Sequence, residues 1–205
     1  MKIFAAAMNY TSPDAKGKGE NLPVHEPVIF TKPDTALLRN GNPFFLPDFS
    51  EEIYFETEVV VKINRLGKNI EERFAHRYYD QVTVGIDFTA QDLLRRYRAE
   101  GLPWEMSKAF DASAVAGTFI PLAEAGRIDD LSFHLEINGT KVQEGTTADM
   151  VHSTDALIAY TSRFFTLKTG DLIYTGTPAG VAPVKRNDHL VAYLGERQLL
   201  DFFIC

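Results

Sequence analysis

Two helical stretches stand out along this 205-residue chain, and most of what surrounds them reads as short strands. That ratio limits the fold more than any other feature, because short strands bury their apolar faces only by pairing across the chain. The first helix is AQDLLRRYRAE, with Thr89 and Asp92 spaced as a capping box and Gly101 and Pro103 to stop it. The second is TDALIAYTSRFFTL, capped by Ser153 and closed by Lys168 and Gly170. LSFHLEINGTKVQEG reads as a hairpin, since Asn138-Gly139 suits a type I′ turn between alternating runs. PVIFTK, IYFETEVVV and VTVGIDF are further strands, and the tail HLVAYLGERQLLDFFIC reads as two strands joined by a turn. The class is therefore α+β with a β-dominated core. No repeat or Pro/Ser-rich linker divides residues 1–205, so a single domain is expected.

Charge and cysteine content remove several function classes. A formal charge of −7 argues against nucleic acid or an anionic membrane as partner, since both need a basic footprint. The single cysteine, Cys205, admits no internal disulfide, no Cys-x-x-Cys redox pair and no thiolate zinc site. MKIFAAAMNY is too short an apolar run for a secretory leader, and no stretch reaches the ~20 apolar residues of a membrane span. A cytoplasmic protein is expected. Tyr10 to Pro27, rich in glycine, proline and charge, reads as a mobile surface loop and a candidate lid.

Chemistry enters with Glu56 and Glu58. Two residues apart on a strand, they project from one face, while Phe55, Thr57, Val59 and Val61 form the other. Like charges aimed at one spot repel. Spacing leaves two readings open: a solvated pair on an edge strand, or ligands of a hard cation. A third oxygen ligand would be needed for the second, and Asp87 ends a strand just before Thr89. The histidines show no metal-ligand spacing, and His134, inside a strand, reads as packed rather than ligating.

YFETEVVV, GIDFTAQD, KAFD, NGTKVQEG and GDLIYTGTPAGV occur in that order and resemble the fumarylacetoacetate hydrolase family. GLPWEMSKAFDAS looks particularly like its acylpyruvase and oxaloacetate decarboxylase branch. The resemblance implies the mixed roll or barrel core of that family's C-terminal domain, with a few short helices. It implies Mg2+ or Mn2+ on Glu56, Glu58 and Asp87, with Lys108 beside the metal to hold the substrate or its enolate. The loop Thr175, Gly176, Thr177 would receive a substrate carboxylate, Thr177 making the contact, with Gln91 and Gln143 as further polar groups at the pocket. A small 2-keto or 1,3-diketo acid would react through an enolate, by acylpyruvate carbon–carbon hydrolysis or oxaloacetate decarboxylation. A homodimer is also implied.

The chain departs from that pattern in two places. Hydrolases of the branch carry a His-Glu dyad on a short helix soon after an Asn-Tyr pair. Here Asn9-Tyr10 is followed by TSPDAKGKGENLP, which lacks the histidine, and Pro13 with two glycines opposes a helix. Glu20, His25 and Glu26 are the residues left to substitute. Keto–enol tautomerisation or isomerisation, which breaks no carbon–carbon bond, is therefore an alternative, as is a non-catalytic metal- or keto-acid-binding member. Gln91 stands where the family commonly has arginine; Arg95, one turn on, shares its helix face and is expected to compensate in part.

Overall fold

The computed structural model describes residues 1–11, 26–38 and 41–205. At its centre is a mixed eight-stranded sheet. From one edge it runs Val28–Lys32 (β2), Ile3–Ala7 (β1), Leu172–Tyr174 (β12), Thr57–Ile63 (β5), Tyr79–Asp87 (β6), Ala114–Ala116 (β8) and Leu37–Leu38 (β3). Ile120–Pro121 (β9) also pairs with β6. β1–β12 and β3–β8 are parallel pairs; β5 is antiparallel to both its neighbours. A four-stranded antiparallel sheet orders Thr140–Thr146 (β11), Ser132–Ile137 (β10), His189–Leu194 (β14) and Arg197–Phe203 (β15). A three-stranded sheet joins Ala182–Pro183 (β13), Ile53–Phe55 (β4) and Thr89–Ala90 (β7). The described helices are Glu72–Ala75 (α1), Gln91–Glu100 (α2), Glu105–Lys108 (α3), Leu122–Ala125 (α4) and Thr154–Phe164 (α5).

The central sheet curls into a half-barrel, and the β-dominated α+β class is what forms. Strand β5 shows why its sequence is apolar on both sides. Val59, Val61 and Ile63 enter the core shared with Phe133, Leu157 and Leu200, whereas Val60 packs with Ile3, Ala5, Ala114, Leu172 and Tyr174 on the opposite face. A strand covered on both faces loses polar alternation except where a charge has a task. The expected hairpin is present as β10–β11: Asn138 and Gly139 take φ of 53° and 76°, the left-handed pair a type I′ turn requires. β14 and β15 are the two strands expected of the tail.

Three local expectations are corrected. The run Ile53 to Val61 is not one strand: it leaves the small sheet after Phe55 and enters the large sheet at Thr57. Glu56 sits at the switch, exchanging backbone bonds with Asp87 in both directions, at 3.1 and 2.8 Å. Thr89 and Asp92 do not form a capping box. Thr89 belongs to β7 and its hydroxyl donates to Glu56, while Asp92 accepts from Ser50 Oγ and Glu51 N. Tertiary partners offered both side chains better bonds than the helix end did. Finally, α5 is capped by Ser153, whose Oγ accepts from Ala156 N at 3.1 Å, but it ends at Phe164. Leu167, fully buried, is drawn into a backbone pair with Gly67, which leaves Lys168 and Gly170 in the turn before β12.

Candidate active site

The sheet switch at Glu56 positions the site. Because Glu56 and Asp87 face each other across that switch, their side chains emerge beside Glu58, the second residue of β5. Carboxylate oxygens of Glu56, Glu58 and Asp87 all lie within 4.8 Å of one another, with Glu58 and Asp87 buried. Glu58 Oε2 accepts the Gly176 N–H at 2.6 Å. Gly176 has φ of +97°, and a Cβ there would stand 2.8 Å from Asn9 Cβ, so only glycine brings that N–H to the carboxylate. Asn9 secures the approach from behind. Its amide donates to Thr175 O and His152 O, and its oxygen accepts from His152 N.

Two buried lysines flank the carboxylates. Lys108, the last residue of α3, donates to Glu56 Oε1 at 2.8 Å, Thr89 Oγ1 at 2.6 Å and Asp87 Oδ2 at 3.1 Å. Thr89 passes its own proton to Glu56 Oε1 at 2.8 Å. The Phe30 ring lies 5.1 Å from Lys108 Nζ. Lys32, at the end of β2, is fully buried and reaches the other Asp87 oxygen, Oδ1, at 2.6 Å. Burial alone would lower the Lys108 pKa, yet Asp87, Glu56 and the bonds to both push it above the lysine range. For Lys32 burial wins over Asp87 and the pKa falls, with Lys108 adding repulsion. Glu58 moves the other way. Burial raises its pKa, Asp87 and Glu56 raise it further, and the Gly176 N–H and Lys108 only partly oppose them.

The donor set fits a hard divalent cation. Three carboxylates with no histidine or cysteine among them suit magnesium, manganese or calcium better than zinc. Burial raises the Glu58 pKa first and the neighbouring Asp87 and Glu56 raise it further; a bound cation would offset that second, electrostatic part.

Residues expected at a substrate fall into two groups. Gln143 Nε2 donates to Thr177 Oγ1 at 2.9 Å and Pro178 O at 3.0 Å, and its Oε1 accepts from Thr57 N. Thr177 therefore keeps its own hydroxyl proton uncommitted among the described residues. Thr175 is different: its N–H and hydroxyl both go to Val59 O. The Gly176 N–H is taken by Glu58. Gln91 opens α2, its N–H on Glu52 O, and its side chain has no hydrogen bond among the described residues. Arg95 does not stand in for the missing arginine, because its guanidinium is paired with Glu52 at 2.8 Å on an exposed surface. Glu20, His25 and the proposed lid fall wholly or largely outside the described residues. Glu26 is described, and it accepts from Tyr160 and lies 3.8 Å from Arg163. His134 is stacked on Tyr193 with ring centroids 4.5 Å apart, packed as expected.

Sequence reasoning missed Lys32, and it misassigned Thr89. One signal for Lys32 was available: a lone charge closing the apolar run VIFT, just before Pro33.

Residues 2–200 match the family model described as fumarylacetoacetate (FAA) hydrolase, C-terminal. The chain belongs to the fumarylacetoacetate hydrolase family. Among curated relatives, oxaloacetate tautomerase YcgM of Escherichia coli K12 is 38% identical over 190 residues, covering 92% of this chain and 86% of the relative. The mitochondrial oxaloacetate tautomerase FAHD1 of Mus musculus is 37% identical over 167 residues, covering 82% and 76%. Fumarylpyruvate hydrolase of Pseudomonas aeruginosa, solved with Mn2+ and pyruvate, superposes with a TM-score of 0.88 at 29% identity, covering 100% of this chain and 89% of that one. Family members thus include tautomerases and hydrolases, and one fumarylacetoacetate hydrolase fold of this kind is known with a divalent metal.

Proposed function

We propose that this protein is a Mg2+- or Mn2+-dependent tautomerase of enolisable 2-keto acids, with oxaloacetate the leading candidate. One observation carries the reading: the carboxylate cluster is flanked by two buried lysines, and no described histidine hydrogen-bonds to it. Water activation in hydrolysis needs a general base of suitable pKa in reach. Tautomerisation also needs a group to take up and return the carbon-bound proton, but it needs no activated water and breaks no carbon–carbon bond.

Glu56, Glu58 and Asp87 would hold the cation, and Gly176 N–H and Thr89 would keep the first two oriented. When bound, a divalent cation supplies Lewis acidity that draws charge onto a keto oxygen and acidifies the adjacent C–H. Lys108 spends its three protons on Glu56, Asp87 and Thr89 in this structure. With those carboxylates engaged elsewhere, Lys108 would have an N–H to turn to the enolate oxygen, where an ammonium stabilises the developing charge. Thr177, its oxygen already held by Gln143, offers its remaining proton to the substrate carboxylate. Phe30 closes one side of Lys108 and limits water there.

The two relatives named oxaloacetate tautomerase support this reading over bond cleavage; the hydrolase relative keeps acylpyruvate hydrolysis, and with it decarboxylation, as the alternative. The test follows enol absorbance and pyruvate release separately, with Mg2+, on enol-oxaloacetate and acetylpyruvate. Enol loss above the metal-only rate without matching pyruvate supports the tautomerase. Pyruvate appearing as fast as substrate disappears would assign a hydrolase or decarboxylase instead. No turnover of either substrate with Mg2+ or Mn2+ would leave a binding protein.

A further inference from the structure

Strand β5 carries a second charged residue on the face that bears Glu58. Glu58, Val60 and Lys62 alternate with Val59, Val61 and Ile63, so the three share the face on which Val60 packs with Ile3, Leu172 and Tyr174. At ~3.3 Å per residue Lys62 stands ~13 Å along the strand from Glu58, too far to join the carboxylate cluster. It is half-buried, and its direct cross-strand neighbour is Leu172. Taking part of a charge out of water onto an apolar face is unfavourable unless a partner is supplied.

Lys62 opens onto a cavity of about 580 Å3, whose apolar walls include Leu37, Ala116, Phe119 and Leu172. Its Nζ lies 5.4 Å from the Phe119 ring centroid and makes no hydrogen bond or ion pair among the described residues. Asp201, the carboxylate at the cavity, is already engaged by His189 at 2.7 Å and by Gln198 Nε2 at 2.9 Å. The volume falls within the ~300–1,000 Å3 of small-molecule sites. A neutral apolar guest would leave the ammonium partly desolvated and unpaired. A doubly charged guest such as phosphate would face Asp201 with Lys62 as its counter-charge, and would leave the apolar walls unused. A single carboxylate on an apolar body answers both the cation and the walls.

We propose that this cavity is a second ligand site, separate from the carboxylate cluster, that binds a hydrophobic monocarboxylate: Lys62 pairs with the carboxylate, and Leu37, Ala116, Phe119 and Leu172 enclose the body. The site goes beyond the tautomerase reading and does not depend on it.

The test titrates phenylacetate, and its uncharged counterpart phenylacetamide, into the whole chain by calorimetry, first in chelator and then with Mn2+. Phenylacetate should bind with the same affinity in both conditions. Phenylacetamide should bind at least about tenfold more weakly, because it forfeits a charge-assisted bond. Lys62→Met should cost phenylacetate about the same factor, and Lys62→Arg, which keeps the charge, should retain most of the affinity. The acid–amide comparison needs no variant, so a folding defect in either substitution leaves the proposal open to refutation. No binding at ~10 mM phenylacetate overturns it; a sedimentation mass of two chains would then assign the cavity to an interface between copies. Equal affinity for acid and amide, or unchanged affinity in Lys62→Met, also overturns it. Binding seen with Mn2+ but not in chelator would place the ligand at the carboxylate cluster and overturn it as well. The readings in chelator do not involve the cation site, so failure here and failure of the tautomerase reading are separate results.

Discussion

Gly176→Ala separates the backbone's part in the site from that of the side chains. Gly176 does two things: it accepts a left-handed φ of +97°, and it aims its N–H at Glu58 Oε2, 2.6 Å away. Alanine there pays backbone strain of ~1–3 kcal/mol. Its Cβ would also stand 2.8 Å from Asn9 Cβ and 3.0 Å from Ala6 O, so the loop must move. Asn9 cannot yield freely, because its amide is bonded to Thr175 O and to both backbone groups of His152. Movement therefore lengthens the Gly176–Glu58 bond, a hydrogen bond to a charged group worth ~1.5–3 kcal/mol. We expect unfolding free energy to fall by about 2.5–6 kcal/mol and Mn2+ affinity to fall at least tenfold. Gly139→Ala is the control: its φ of +76° imposes strain, but a Cβ there meets nothing within 4 Å. That variant should lose about 1 kcal/mol and bind Mn2+ normally. Urea unfolding and Mn2+ titration read both variants. Equal, small losses with unchanged Mn2+ affinity in both would refute the reasoning.

Other outcomes follow from the same geometry. Thr89→Val removes the hydroxyl between Lys108 and Glu56, so turnover should fall about tenfold or more while the urea midpoint shifts little; unchanged turnover would show that this bridge is idle. Gln143→Leu strips Thr57 N and Thr177 Oγ1 of their partner and should raise KM for the keto acid more than it lowers kcat. The raised pKa of Glu58 makes metal-free stability pH-dependent: the contribution is full below the ordinary value of 4.5 and is lost as pH rises through the raised value. Urea midpoints in chelator should therefore drop with rising pH, and the drop should shrink with Mn2+ present or in Glu58→Gln. A drop of the same size in Glu58→Gln would assign it to another group.

How much of this was legible in the sequence follows from how local each partner is. The β10–β11 hairpin was readable because two adjacent residues set its turn. That Glu56, Glu58, Asp87 and Lys108 come together was readable from the order of the motifs that resemble the family; strand alternation did not carry it, because Glu56 lies between two strands. Lys32 was not, since a lysine closing a strand usually points to water; its burial is built by Phe88 and Ser113, 56 and 81 residues away. Thr89 looked like a cap because the local pattern is genuine, but Glu56, 33 residues earlier, takes its hydroxyl. Arg95 shared a helix face with Gln91, and only the position of Glu52 shows that it is already engaged. The end of α5 was misplaced for the same reason, the Leu167–Gly67 pairing being invisible along the chain.

In the proposed function Glu56, Glu58 and Asp87 hold a divalent cation that presents a keto acid to Lys108. Anomalous diffraction from crystals grown with Mn2+ and pyruvate tests it most directly. The account predicts one strong manganese peak among those three carboxylates, with pyruvate density between the metal, Lys108 and Thr177. A manganese peak elsewhere, or none at the three carboxylates in crystals that diffract well, would contradict it.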